Sequence, residues 1–239
     1  DLKTFHQFGV YGEAIITLLT VQNSVRVSRV EVLAPDLVLE QVAALLEDMP
    51  PGAVKTGALG SAEMARAVAQ AARGFHFPLV VDPVMVSTHG EPLLNDDATA
   101  VLRDELLPLA ALVMPNVAEA GVLSGISIRS LDDMRDAALR ICEMGAHAVL
   151  VKGGHLEGPA TDVFFDGSVW REFTAPRIST LHTHGTGCVY SAAVTAGLAQ
   201  ELSLSEAVER AKAFVTAAIR THPGLGRGRG PVNLHARPE

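Results

Sequence analysis

Short apolar runs that stop abruptly on a polar residue recur along this chain. Residues 14–21 stop at Gln22-Asn23, residues 78–81 at Asp82-Pro83, residues 111–114 at Pro115-Asn116, and residues 148–151 at Lys152-Gly153-Gly154-His155. Runs of this length that do not alternate with polar residues predict strands buried on both faces, as in a parallel sheet. Stretches of helical periodicity lie between them: 35–48 after Pro35, Ser61 to about Gly74, Asp96 to Leu107, a short helix with Glu119 in its first turn, and 131–144. Ser130 and Asp133 have capping-box spacing ahead of the last of these, and Ser205 is read as the cap of a final helix to Arg220. Residues 2–8 read as the end of a helix stopped by Gly9, and 25–33 as a short strand or hairpin piece. Strand–helix alternation with short joins predicts a doubly wound, three-layer αβα sandwich. Its central sheet is mostly parallel, with helices on both faces and right-handed crossovers. Asp166-Gly167, flanked by residues 162–165 and 168–173, is a hairpin signal that adds an antiparallel edge. No internal repeat or long linker interrupts residues 1–239, which read as a single domain.

The ends of parallel strands converge on one rim of such a sheet, where ligands bind. Gln22, Asp82, Asn116 with Glu119, and Lys152 all fall at those ends. The stretch His182-Thr183-His184-Gly185-Thr186-Gly187-Cys188 precedes a small-residue helix expected over 189–200. Its glycines and threonines suit a tight turn whose N–H groups point at one spot, and the helix behind adds free N–H groups and a positive dipole end. A phosphate or a developing anion is at home there. Cys188 stands at the helix mouth, where a thiolate is stabilised; an ordinary cap with a packed thiol is the plainer alternative. An anion turn, carboxylates and a lysine on one rim are the parts of a phosphoryl-transfer site. Lys152 would neutralise phosphate as a point charge, and Asp82 and Glu119 would hold magnesium directly or through water. The loop from Val84 to Asn95 reads as exposed and mobile.

Charge and composition exclude other classes. The net charge of 19 − 27 = −8 argues against an extended nucleic-acid surface. Cys142 and Cys188 form no metal-type spacing or disulfide framework, and Cys142 belongs in a helix core; this fits a reducing, cytoplasmic setting. No apolar run reaches the length of a membrane span, and no signal peptide is visible. Neither a GxxxxGK[ST] loop nor the Gly-Ser motif of α/β-hydrolases is present.

Nine segments, in order along almost the whole chain, resemble the bacterial hydroxymethylpyrimidine and phosphomethylpyrimidine kinases of the ribokinase-like superfamily. They are residues 1–5, Thr20-Val21-Gln22-Asn23, Lys55-Thr56-Gly57, Asp82-Pro83-Val84-Met85, Pro115-Asn116 with Glu119-Ala120, Lys152-Gly153-Gly154-His155, Phe173 to Arg177, Thr183 to Cys188, and Gly228-Arg229-Gly230-Pro231-Val232. The resemblance implies ATP, Mg²⁺, a small pyrimidine substrate and a homodimer. It implies a preceding strand and Gly-rich loop, since family members carry these before the segment in which this chain begins. It implies a pyrimidine near Asp1, Gln22, Ala58 and Val84. Nucleotide phosphates fall near Lys152, Thr183, Thr186, Gly187, Asn116 and Lys212, the metal near Asp82 and Glu119, and the transferring group near Gly185 to Cys188. Sugar kinases of the superfamily place an aspartate base where Cys188 stands. Many members have Met where this chain has Ala58, a change that enlarges the pocket. A pyridoxal or pyridoxine kinase of the same fold is therefore the rival reading.

Overall fold

The structure, a computed structural model, describes residues 1–86, 90 and 93–237. Its centre is a six-stranded sheet in chain order. β3 (Val54–Thr56), β4 (Leu79–Val81), β5 (Leu112–Val113) and β6 (Val149–Val151) run parallel. β7 (Ala160–Phe165) and β8 (Trp170–Ala175) close one side as the expected antiparallel hairpin. Gly167 takes a left-handed φ of 87° at the hairpin turn.

Successive residues of the strands feed opposite cores. Val81, Val113, Val149 and Val151 pack on one face with α2 (Pro35–Asp48), α3 (Ala62–Ala72), α5 (Val117–Ser124) and α6 (Leu131–Glu143). Val80, Leu112, Leu150 and Phe164 pack on the other with α7 (Thr186–Ala199) and α8 (Leu204–Arg220). Burying each such side chain contributes about 1.5–3 kcal/mol, so both faces must be covered. α1 (Leu2–Gln7) lies on the second face, with Phe8 edge-on to Phe214 at 5.0 Å.

Three expectations are corrected. Residues 14–21 do not form a buried strand. Among the described residues β1 (Leu18–Gln22) pairs with β2 (Val27–Val32) alone, in an antiparallel ribbon outside the sheet, and Leu19 and Val21 are exposed. The main sheet shows no reversal of strand order among the described residues, yet helices cover both of its faces, as expected of the αβα sandwich. Right-handed crossovers that always advance in one direction put their helices on one face, and the second face is filled by α1, α7 and α8 instead. The cap of α8 is Ser203, not Ser205: Ser203 accepts from Glu206 N–H and Glu206 answers as in a capping box. The helix expected over 96–107 begins on its Asn95 cap as α4 (Asp96–Val101), but continues as a π-helical turn (Leu102–Leu106) and a 3₁₀ turn (Leu107–Leu109) containing Pro108. Of the loop between Val84 and Asn95, Ser87, Thr88, His89, Glu91 and Pro92 lie outside the described residues, and Met85 is buried.

Candidate active site

Asp82, Asn116 and Lys152 follow the ends of β4, β5 and β6, and an isolated parallel bridge between Asn116 and Lys152 keeps the β5–β6 register three residues beyond the Val113–Val149 pair. This brings Lys152 Nζ to 2.8 Å from Asp82 Oδ1, with both side chains largely buried. Ser191 Oγ donates to Asp82 Oδ2 at 3.1 Å. Burial opposes ionisation of Asp82, but the charges of Lys152 and Lys55 and the hydrogen bonds from Lys152 and Ser191 outweigh it, so its carboxyl titrates below the usual range. Burial likewise disfavours the Lys152 ammonium. Asp82 and Glu119 overcome this and hold it charged beyond the usual range.

Glu119 is the opposite case. Burial first, then the negative charge of Asp82, raise its titration, against Lys152 and the backbone N–H groups of Asn116 and Met85. Glu119 and Asn116 also form the capping box of α5: Asn116 N–H donates to Glu119 Oε2 at 2.7 Å, and Glu119 N–H to Asn116 Oδ1 at 3.0 Å. Both predicted site residues therefore also start a helix.

The anion turn is more helical than expected. Thr186, Gly187 and Cys188 form the first turn of α7 rather than preceding it, behind Gly185 with φ 81° and no side-chain cap. Thr186 donates through both its N–H and its hydroxyl to Thr183 O, at 3.2 and 2.7 Å. The N–H groups of Gly187 and Cys188, next along, belong to the helix start that has no intrahelical acceptor. A Cβ on Gly187 would stand 3.6 Å from Lys152 Nζ and 3.9 Å from Asp82 Oδ2. The helix start is thus seated directly on the ion pair. The Gly-rich tail wraps back over this turn: His184 N–H donates to Gly230 O at 3.0 Å, and Gly228 N–H reaches Ser24 Oγ at 3.3 Å.

A cavity of about 610 Å³ opens over this arrangement. It is bordered by Val84, Asn116, Glu119, Lys152, Asp82, Thr183, Gly185, Thr186, Gly187, Cys188 and Lys212. A second, mainly apolar trough of about 600 Å³ runs past Asp1, Lys55 and Ala58. Cys188 borders both. The residues assigned to the pyrimidine are therefore divided: Val84 on one side of Cys188, Asp1 and Ala58 on the other. Gln22 stands at the exposed end of the β1–β2 ribbon, not at the rim of the main sheet. Lys212 meets Asp162 Oδ2 at 2.7 Å.

Sequence reasoning missed several residues. Lys55 has a side chain 5 % exposed and pairs with Asp1 at 2.9 Å. Asp162 reads as one residue of a hairpin strand, yet it is buried and bonded to α7, to α8 and to the loop after β6. Arg177 sits in a recognised motif, but its guanidinium is spent on the carbonyls of Gly154, Leu156 and Gly158. A charged residue at an inward-facing strand position was the one available signal for Asp162.

Among the described residues, no group of three or more His, Cys, Asp or Glu side chains is arranged to hold a metal. Asp82 and Glu119 nevertheless suit magnesium, which takes one or two carboxylates and completes its shell with water and substrate phosphates. Ionised carboxylates keep acceptor capacity beyond the hydrogen bonds described.

Residues 1–233 match the family described as phosphomethylpyrimidine kinase. The chain belongs to this family. It is 48% identical over 237 residues to the hydroxymethylpyrimidine/phosphomethylpyrimidine kinase of Rhizobium meliloti (strain 1021), covering 98% of this chain and 89% of that one. The solved structure of phosphomethylpyrimidine kinase from Clostridium difficile 630 matches with a TM-score of 0.81 at 37% identity, over 91% of this chain and 90% of that one. Staphylococcus aureus pyridoxal kinase in complex with AMP-PCP and pyridoxal matches with a TM-score of 0.90 at 35% identity, over 98% and 86%. The ribokinase-like resemblance is thereby established, and the protein is a phosphotransferase of this family. Among the described residues no helix is long and apolar enough to cross a membrane.

Proposed function

We propose that this phosphomethylpyrimidine kinase family member transfers the γ-phosphoryl group of ATP to 4-amino-5-hydroxymethyl-2-methylpyrimidine, and then to the resulting monophosphate, in thiamine biosynthesis. The observation that carries this reading is the seating of the α7 N-terminus on the Lys152–Asp82 pair, at the rim of a cavity also bordered by Glu119 and Lys212. Lys152 and the N–H groups of Gly187 and Cys188 are fixed before substrate arrives, so they stabilise charge on the transferring group without reorganising. Thr183, Thr186, Asn116 and Lys212 complete the phosphate side. Magnesium, when bound beside Asp82 and Glu119, supplies charge neutralisation for the phosphates. Asp1, Gln22, Ala58 and Val84 remain the substrate-side assignment. Cys188 is assigned as the group that takes the proton of the attacking hydroxyl, a reading supported by its position beside both hollows.

A second reading is pyridoxal kinase. The likeness to the Staphylococcus aureus pyridoxal kinase fold and the small Ala58 beside the trough favour it. We also read the β1–β2 ribbon, with Leu19 and Val21 exposed, as the surface on which a second copy pairs. Sedimentation equilibrium of the protein and of Leu19→Glu tests that assignment.

A coupled assay with ATP and magnesium decides between substrates. Hydroxymethylpyrimidine, its monophosphate and pyridoxal are compared for wild type and Cys188→Ser. Sequential formation of the pyrimidine diphosphate supports the main reading, and preference for pyridoxal replaces it. If Cys188 is the base, its loss lowers the first phosphorylation by about 100-fold or more. The second phosphorylation, whose nucleophile is already ionised, changes little.

A further inference from the structure

Asp162 is the third residue of β7 and is 2 % exposed. A carboxylate buried in a strand must be fully bonded to be tolerated. Asp162 Oδ1 accepts the Gly153 N–H at 3.0 Å. Oδ2 accepts from Lys212 Nζ at 2.7 Å and from the Tyr190 hydroxyl at 3.0 Å. Each donor comes from a different part of the site. Gly153 follows Lys152, Tyr190 lies on α7 behind the anion turn, and Lys212 lies on α8.

The geometry around these donors is tightly set. A Cβ on Gly153 would stand 1.8 Å from Thr161 O, so the backbone after Lys152 lies hard against β7. Lys212 gives a second N–H to Ala160 O at 2.9 Å. An ammonium has three N–H bonds. With two directed at β7, the third is left for the cavity that Lys212 borders. Tyr190, buried beside this carboxylate, titrates well above its ordinary value and remains a neutral donor.

We propose that Asp162 is a positioning residue for nucleotide binding: it aims the Lys212 ammonium into the cavity and holds the Lys152-Gly153 backbone in register with the start of α7. The inference rests on the reading of this cavity as the nucleotide-phosphate site. Asp162 itself gives its oxygens to the protein, and acts through Lys212 and Gly153.

The test uses the full chain and measures two quantities. Turnover of wild type with ATP and each candidate acceptor tests the kinase reading alone. Affinity for ADP by calorimetric titration, with KM for ATP and for the acceptor, is then measured for Asp162→Asn, Lys212→Met, their combination and Tyr190→Phe. Loss of one charge-assisted bond predicts that Asp162→Asn weakens ADP binding and raises the ATP KM by about tenfold, with the acceptor KM unchanged. The double variant should be no weaker than Lys212→Met by more than about twofold, because the two act as a unit. Tyr190→Phe should raise the ATP KM by about threefold. Equal changes in both KM values, unchanged ADP affinity in folded Asp162→Asn, or additive losses in the double variant would overturn the proposal. If Asp162→Asn does not fold, an unchanged ATP KM in Tyr190→Phe overturns it. Wild type that binds ADP but phosphorylates none of the acceptors defeats the kinase reading and leaves the ADP comparison decisive for Asp162. Wild type that does not bind ADP defeats both.

Discussion

Lys152 Nζ donates to Asp82 Oδ1 at 2.8 Å, in a setting that leaves Asp82 2 % and the Lys152 side chain 12 % exposed. Each charge is tolerable there because of the other. Asp82→Asn leaves a buried ammonium whose remaining described carboxylate influence is Glu119, and Lys152→Met leaves a buried carboxylate. Either change should cost about 3–5 kcal/mol of stability. The double variant Asp82→Asn/Lys152→Met should lose clearly less than the sum, because no lone charge remains. Urea denaturation of the four proteins checks this; additive losses mean the pair is not coupled as the geometry requires.

Glu119 should impose a pH dependence of opposite sign to that of Asp82. The lowered titration of Asp82 contributes stability above the ordinary carboxylate value of about 3.9, lost as pH falls through the folded value. The raised titration of Lys152 contributes stability below about 10.4, lost as pH rises through its folded value. Glu119 is raised, so the unfolded chain ionises first and stability declines as pH climbs past about 4.3. Glu119→Gln keeps an acceptor for the Asn116 N–H and removes that cost. Its Tm should exceed that of wild type at about pH 7 and converge on it near pH 4, while magnesium-dependent turnover falls. A lower Tm than wild type at neutral pH refutes the argument from burial.

Two adjacent glycines should differ sharply. A Cβ at Gly153 meets Thr161 O at 1.8 Å, whereas one at Gly154 meets nothing within 4 Å. Gly153→Ala must push backbone from backbone, and should lose more than about 3 kcal/mol together with most activity. Gly154→Ala should stay within about 0.5 kcal/mol of wild type. Thermal melts of the two variants, side by side, decide it.

The start of α8 offers a check on the corrected cap. Ser203 accepts from Glu206 N–H, whereas the buried hydroxyl of Ser205 finds no hydrogen-bond partner among the described residues. Ser203→Ala should cost about 1 kcal/mol, and Ser205→Ala should be neutral or slightly stabilising. The reverse order in chemical denaturation would restore Ser205 as the cap.

Much of the fold was legible because its signals are local. Pro35 opens α2, and Ser61 and Ser130 cap α3 and α6 where the spacing placed them. Asp166-Gly167 turns the β7–β8 hairpin as read. The site was legible where one residue at a strand end carried the signal, as with Asp82 and Lys152. It was not legible where the role depends on distant partners. Lys55 acquires its place from Asp1, 54 residues away, and Asp162 from Lys212, 50 residues away. Residues 14–21 failed for a related reason: an apolar run does not say whether a sheet is present to bury it.

The αβα layering, the parallel strands that end on Asp82, Asn116 and Lys152, the Gly-rich start of α7 and membership of the kinase family were all readable from residue order. These follow from periodicity, capping chemistry and motif order, which act over a few residues at a time. The pairing of Lys152 with Asp82 and of Lys212 with Asp162, the place of Cys188 beside two hollows, and the separation of β1 and β2 from the sheet emerged in three dimensions alone. Those outcomes depend on which buried charges find partners across the sheet and on which faces are covered. Both are set by packing between elements far apart in the chain.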